Sequence, residues 1–176
     1  MTVKAKPFGS TNVSVENTKT QIRNLLTKWG AKDFKQVEDH ERLQAGVEFK
    51  VRLEKTRRDS PWLTVRIEMP LPDPNAEEFR FFYNHSVRKE RSAAAATEKW
   101  QDELRRRWRC LHGSLKQSLV NIDTPIRSVV DEFHADIVVP GTGTTVRRAT
   151  RAAVLQAIET GQMPPIFRRL SAPEEE

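Results

Sequence analysis

The stretch SAAAATEKWQDELRRRWRCLHGSLKQSLVNI, residues 92–122, decides how the rest of the chain is read. Trp100, Leu104, Trp108, Leu111, Leu115, Leu119 and Ile122 recur at steps of four and three, the spacing of one buried helix face. One residue further on, Arg105, Arg109, His112 and Lys116 follow the same steps. The apolar stripe makes this helix a principal core element, and the cationic stripe beside it lies on the flank a partner would meet. Gly113 falls inside the helix, where glycine costs about 1 kcal/mol relative to alanine, and marks a kink or a close contact.

Ahead of this helix the period changes from 3.6 to 2. Leu43, Ala45, Val47, Phe49, Val51 and Leu53 alternate with Gln44, Gly46, Glu48, Lys50, Arg52 and Glu54, which predicts a strand with one oily and one wet face. Leu63, Val65, Ile67 and Met69 alternate with Thr64, Arg66 and Glu68 in the same way, and the polar turn KTRRDSP (55–61) joins the two as an antiparallel hairpin. A shorter third strand is expected at 34–38.

An oily sheet face needs cover. The basic helix and an N-terminal helix supply it, the latter capped by Ser14, apolar at Val15, Ile22, Leu25, Leu26 and Trp29, and ended by Gly30. Residues 70–86 read as a loop holding Phe79, Phe81, Phe82 and Tyr83 around Arg80; aromatics interleaved with arginine either anchor a loop or bind bases or a protein. Thr124-Pro125 reads as a helix restart, with Ile126, Val129, Val130, Phe133 and Ile137 packing inward. A last helix runs from about Thr145 to Thr160 and ends at Gly161.

The expected architecture is therefore α+β: a small antiparallel three-stranded sheet covered by an N-terminal helix and a long basic helix, with two C-terminal helices. Residues 1–12 are expected as a flexible tail, 13–165 as a single domain, and 166–176 as a tail with an acidic end. At 176 residues one domain can bury a sizeable core.

The net charge is +6, and its placement matters more than its size. Residues 88–116 carry nine Lys or Arg against four acids, and residues 141–170 carry five Arg against one Glu. Such polarity suits nucleic acid, DNA before RNA, or an acidic protein surface. Cys110 is the only cysteine, which excludes an intramolecular disulfide and fits a reducing, cytoplasmic compartment. There is neither an apolar run of membrane-span length nor a signal-peptide core, so no membrane partner is expected.

On these grounds Arg105, Arg106, Arg109 and Lys116 are candidates for phosphate contacts, because a guanidinium donates to phosphate in a fixed fork. Arg57 and Arg58 in the hairpin turn could assist, as could Arg147 and Arg148 at the start of the last helix. Trp62, at the end of the wet sheet face, is the candidate for base stacking. The competing reading pairs these arginines with Glu98, Asp102 and Glu103, and pairs Lys50, Arg52 and Arg66 across strands with Glu48, Glu54 and Glu68.

Catalytic and metal signals are thin. Cys110 and His112 point to different sides of a helix, and Asp131 with His134 reads as a salt link. The turn Pro140-Gly141-Thr142-Gly143-Thr144 lacks the Gly-Lys-Ser/Thr ending of a phosphate loop. No cofactor, no metal and no enzymatic activity is expected.

Several short motifs carry a resemblance: Val13-Ser14-Val15-Glu16, Trp29-Gly30-Ala31, Met69-Pro70-Leu71-Pro72, Arg91-Ser92-Ala93-Ala94-Ala95, Arg107-Trp108-Arg109, Ile137-Val138-Val139-Pro140 and Glu159-Thr160-Gly161-Gln162-Met163-Pro164. Together they resemble a group of small uncharacterised proteins encoded by phages and bacterial mobile elements, over most of residues 13–165. The chain departs from that group in a longer 55–60 loop and in Gly141-Thr142-Gly143. The resemblance lends no catalytic residue; it implies a setting in DNA replication, recombination or defence. Sequence-nonspecific nucleic-acid binding is the leading expectation. The alternative is a binding module or inhibitor whose basic helix docks an acidic host protein.

Overall fold

The computed structural model describes residues 7–9, 11–39 and 41–162; the expected acidic tail at 166–176 lies outside the described residues. Helix α1 (Val15–Trp29) begins where Ser14 Oγ accepts the Asn17 N–H at 3.2 Å. It ends where Gly30 takes the left-handed conformation at φ 101°, which a side chain would strain. Strands β1 (Lys32–Asp39), β2 (Gln44–Arg52) and β3 (Trp62–Pro70) form one antiparallel sheet in the order β1-β2-β3. The register sets Val47 opposite Ile67, Phe49 opposite Val65 and Val51 opposite Leu63, so the alternation in the sequence places these on one face.

Helix α3 (Ala93–Asp123) and α1 cover that face. Ile22 and Leu26 from α1 meet Trp108, Leu111, Leu115 and Leu119 from α3 over Val47, Phe49, Val51 and Val65, all buried. The α+β architecture is as the sequence predicts, and Trp108 is core, with 2 % of its surface exposed. Ser92 caps α3, its Oγ accepting the Ala95 N–H at 3.3 Å. The two helices run in the same direction: Lys19 lies over the Trp108 ring at 5.2 Å, Gln21 bonds Arg109, and Trp29 Nε1 donates to Asp123 at 3.0 Å.

The segment read as a loop is built instead. Helix α2 (Glu77–Arg80) buries Phe79, and β4 (Phe81–Asn84) pairs with β5 (Val87–Glu90) as a separate two-stranded hairpin. The sequence hides this hairpin because its turn is His85-Ser86. Both residues have positive φ, 48° and 67°, a conformation usually signalled by Asn-Gly.

The restart at Thr124-Pro125 is also corrected. Thr124 closes α3, its N–H bonding the Val120 carbonyl, and Ile126 is exposed. The next helix, α4 (Val129–Phe133), is capped four residues beyond Thr124 by Ser128, which exchanges bonds with Asp131 in a capping box. A 3₁₀ turn follows at His134–Asp136. Phe133 meets Phe49 edge-on, ring centres 5.8 Å apart. Ile137 then bridges to Val65 and the Val138 N–H donates to the Thr64 carbonyl at 2.8 Å, lengthening the sheet edge beyond β3.

Helix α5 (Val146–Thr160) has the predicted bounds, capped by Thr145 and ended by Gly161, but none of its residues is buried. Its first turn is tied down by Arg147 to Asp136 (2.9 Å) and Arg148 to Glu68 (3.0 Å).

Candidate nucleic-acid interface

The nine cations of residues 88–116 fall into two groups once side chains are placed. Glu103, buried on α3, receives Arg106 Nε at 2.7 Å and Arg107 Nε at 3.0 Å. Arg105 and Lys99 share Asp102, and Arg105 Nε is buried without a hydrogen-bond partner among the described residues. Arg88 pairs with Glu77 at 3.0 Å. The pairs within α3 are the i, i+3 and i, i+4 ion pairs that helix spacing makes available, and Asp102-Glu103 ahead of Arg105-Arg106-Arg107 spells them in the sequence, whereas Arg88–Glu77 joins β5 to α2.

The other four pair with no carboxylate among the described residues: Lys89 and Arg91 at the β4–β5 hairpin, where Arg91 donates to backbone carbonyls, and Arg109 and Lys116 on α3. Arg109 donates to Gln21 Oε1 on α1 at 2.6 Å and lies 6.0 Å from the Phe8 ring centre, while Lys116 is exposed. Phe8 itself crosses the outer side of α3 close to Gly113, which accounts for the glycine as a contact position. His112 sits between these two cations. Burial pushes its pKa below the ordinary 6.5, and Arg109 and Lys116 push it in the same direction. Seven residues on from Gln21 and Arg109, Lys28 and Lys116 continue the two sides of the α1–α3 seam. The seam thus carries Lys28, Arg109 and Lys116.

The remaining candidates lie elsewhere. Arg57 and Arg58 are in the β2–β3 loop, which Lys55 fastens to the end of α3 through Asp123 (2.7 Å) and to α1 by stacking on Trp29 (4.5 Å). Arg57 pairs with Asp59 at 2.9 Å; Arg58 makes no ion pair among the described residues, and its carbonyl and that of Arg57 accept from Arg52. This loop sits at the C-terminal end of α3, about 10 Å along the helix from Lys116 at 1.5 Å per residue.

Trp62 is on the opposite sheet face, half-buried, with Arg52 at 4.8 Å and Lys32 at 4.9 Å from its ring centre. Its π-face already holds cations. Arg147 and Arg148 also belong to that opposite side. There Arg66 bridges Glu48 (2.6 Å) and the Gly143 carbonyl (2.9 Å), and Lys35 adds to Glu48. Burial and the nearby Glu68 raise the pKa of Asp136, against the pull of Arg147. The structure thus brings Arg109, His112 and Lys116 together, sets the 55–61 loop at their end, and turns Trp62, Arg147 and Arg148 away.

One structural feature escapes sequence reading. Lys19, mid-helix in α1 and nearly buried, donates to Glu16 (2.7 Å) and Glu38 (2.6 Å). Burial opposes its charge, but the two glutamates outweigh burial and raise its pKa. Lys19 and Glu38 line an apolar cleft of about 310 Å³ together with Leu43, Leu71, Trp100 and Trp108. Neither Asp131 nor His134 lines it, and Asp131 is engaged by Ser128. Among the described residues no cluster of His, Cys, Asp and Glu could hold a metal ion, and no helix is long and apolar enough to cross a membrane. Compared with known protein families, with curated proteins and with solved structures, the chain shows no match.

Proposed function

We propose that this protein acts by binding nucleic acid without sequence preference, through the α1–α3 flank, and not by catalysis. The observation that carries the reading is the partition of the cations: the half-buried Arg109 and the exposed Lys116 flank His112 with no carboxylate among the described residues to neutralise them. Phosphates can occupy that flank without first breaking an ion pair, whereas recruiting Arg105 or Arg106 would strip Asp102 or Glu103. Arg58 extends the track at the end of α3. The resemblance to phage and mobile-element proteins sets such binding in DNA replication, recombination or defence.

Charge reversal tests this directly. Labelled single- and double-stranded DNA, titrated by fluorescence anisotropy at about 50 and 200 mM salt, is expected to bind wild-type protein with an affinity that falls steeply with salt. Arg109→Glu with Lys116→Glu is expected to abolish binding at the higher salt while the melting temperature is retained, since neither side chain supports a buried ion pair. Wild-type protein that fails to bind even at 50 mM overturns the reading, and leaves the flank to an acidic protein surface.

Binding is also expected to take up a proton at His112. In the free protein its pKa lies below 6.5, held down by burial and by Arg109 and Lys116. A phosphate beside those cations offsets them and raises the pKa, so affinity increases as the pH falls through the bound-state pKa and levels off below the free-state one. His112→Gln should flatten that dependence between about pH 7.5 and 5.5, a window bracketing the ordinary histidine value. An unchanged slope in the variant would remove His112 from the interface.

A further inference from the structure

The β4–β5 hairpin is an exposed arm with a rigid root. At its root, the buried Phe79 anchors α2, and Arg91 donates to the carbonyls of Glu78 and Phe79, each at 3.2 Å, and to that of Phe81. Arg88 stacks on the Phe81 ring at 3.9 Å and Arg91 on the Phe82 ring at 5.2 Å. The distal half is bare. All four residues of β5 are exposed, Tyr83 opposite Arg88 is 74 % exposed, and Val87 is 58 % exposed. Asn84, His85, Ser86 and Lys89 make no side-chain hydrogen bond or ion pair among the described residues. A lone two-stranded hairpin is marginal in water, so a rooted one with an unused polar tip is a surface held ready for a partner.

Resting on the nucleic-acid reading above, we infer that this arm enters the major groove of duplex DNA. Three features carry the inference. Four-residue strands project about 13 Å from the root and lie about 4.8 Å apart, and the major groove, about 12 Å wide and 8.5 Å deep, admits a two-stranded ribbon. The tip offers donors and acceptors, Asn84, His85 and Ser86, for base edges, with Lys89, unpaired among the described residues, behind them for a bordering phosphate. The root also adjoins the start of α3, and Lys116 lies about 35 Å further along that helix at 1.5 Å per residue, close to one duplex turn. The arm's root and Lys116 are thus about one duplex turn apart along α3.

The test is dimethyl sulfate footprinting of guanine N7, a major-groove atom, on a duplex of about 30 base pairs, alongside anisotropy on the duplex and on one of its strands. Wild-type protein is expected to protect N7. Tyr83→Ala/His85→Gly/Lys89→Ala leaves the root intact, and glycine suits the positive φ at position 85. That variant should lose the protection and about tenfold in duplex affinity, while single-strand affinity changes less than threefold. Duplex binding with no N7 protection, or equal losses on duplex and single strand, would overturn the arm's role while leaving the α1–α3 flank standing. Absence of any binding by wild-type protein would remove both.

Discussion

Gly46→Ala is expected to lower the unfolding free energy by about 3 kcal/mol, a cost typical of forced overpacking in a rigid site. A Cβ at this position would sit 2.0 Å from the Ile67 carbonyl oxygen and 3.0 Å from Glu68 Cα, all of it backbone of the neighbouring strand. No rotamer change can relieve such a clash. Either β2 and β3 move apart, breaking ladder hydrogen bonds, or the sheet shifts under α1 and α3. The check is urea unfolding followed by circular dichroism, where the midpoint should fall by about 1–2 M at an unchanged slope. Gly113→Ala is the matched control. There the added carbon meets only the Phe8 ring, at 3.5 Å, and helix propensity favours alanine, so stability should hold or rise by up to about 1 kcal/mol. Equal behaviour of the two variants would contradict the close approach at Gly46.

Trp108→Ala should cost more, about 3–5 kcal/mol, the range for emptying a large aromatic site in a core. The indole is almost wholly buried, lines the cleft beside α1, and carries the Lys19 ammonium over its face. Truncation leaves a cavity beside a cation that burial already penalises and that Glu16 and Glu38 hold in place. Tryptophan emission and urea unfolding report on it together. Trp108→Phe, which keeps an aromatic face under Lys19, should recover most of the loss. A Trp108→Ala protein that unfolds at the wild-type midpoint would show that α3 is not clamped to α1 at this point.

What the sequence made legible is what short-range periodicity encodes. The alternation through Val47, Phe49, Val51 and Val65 is a property of the pleat, and the steps from Trp108 to Leu119 are a property of the helical turn. Both survive because burial in the folded chain reinforces them. Ser14, Ser92 and Thr145 announce helix starts because only a few side chains can satisfy the free N–H groups there. The β4–β5 hairpin stayed hidden because His85-Ser86 carries no turn signature, and its stability comes from Arg91 and Phe79 at the root. At Thr124-Pro125 the sequence gives a good cap signal that loses to a better one, the Ser128–Asp131 box four residues on.

The candidate site divides in the same way. The sequence by itself determined the inventory: a core helix with a cationic stripe one residue off its apolar stripe, and a wet sheet face of alternating charge. Only the tertiary structure decided which of those charges are committed. Helix spacing permits Arg105, Arg106 and Arg107 to reach either solvent or Asp102 and Glu103, and in the folded chain all three hold the carboxylates, Arg107 also donating to the Pro70 carbonyl. Parallel packing of α1 on α3 sets Gln21, and no acid, beside Arg109. The face of the sheet on which α5 lands removes Arg147 and Arg148 from the same surface. The last two outcomes depend on contacts between residues tens of positions apart, and local spacing carries no record of them.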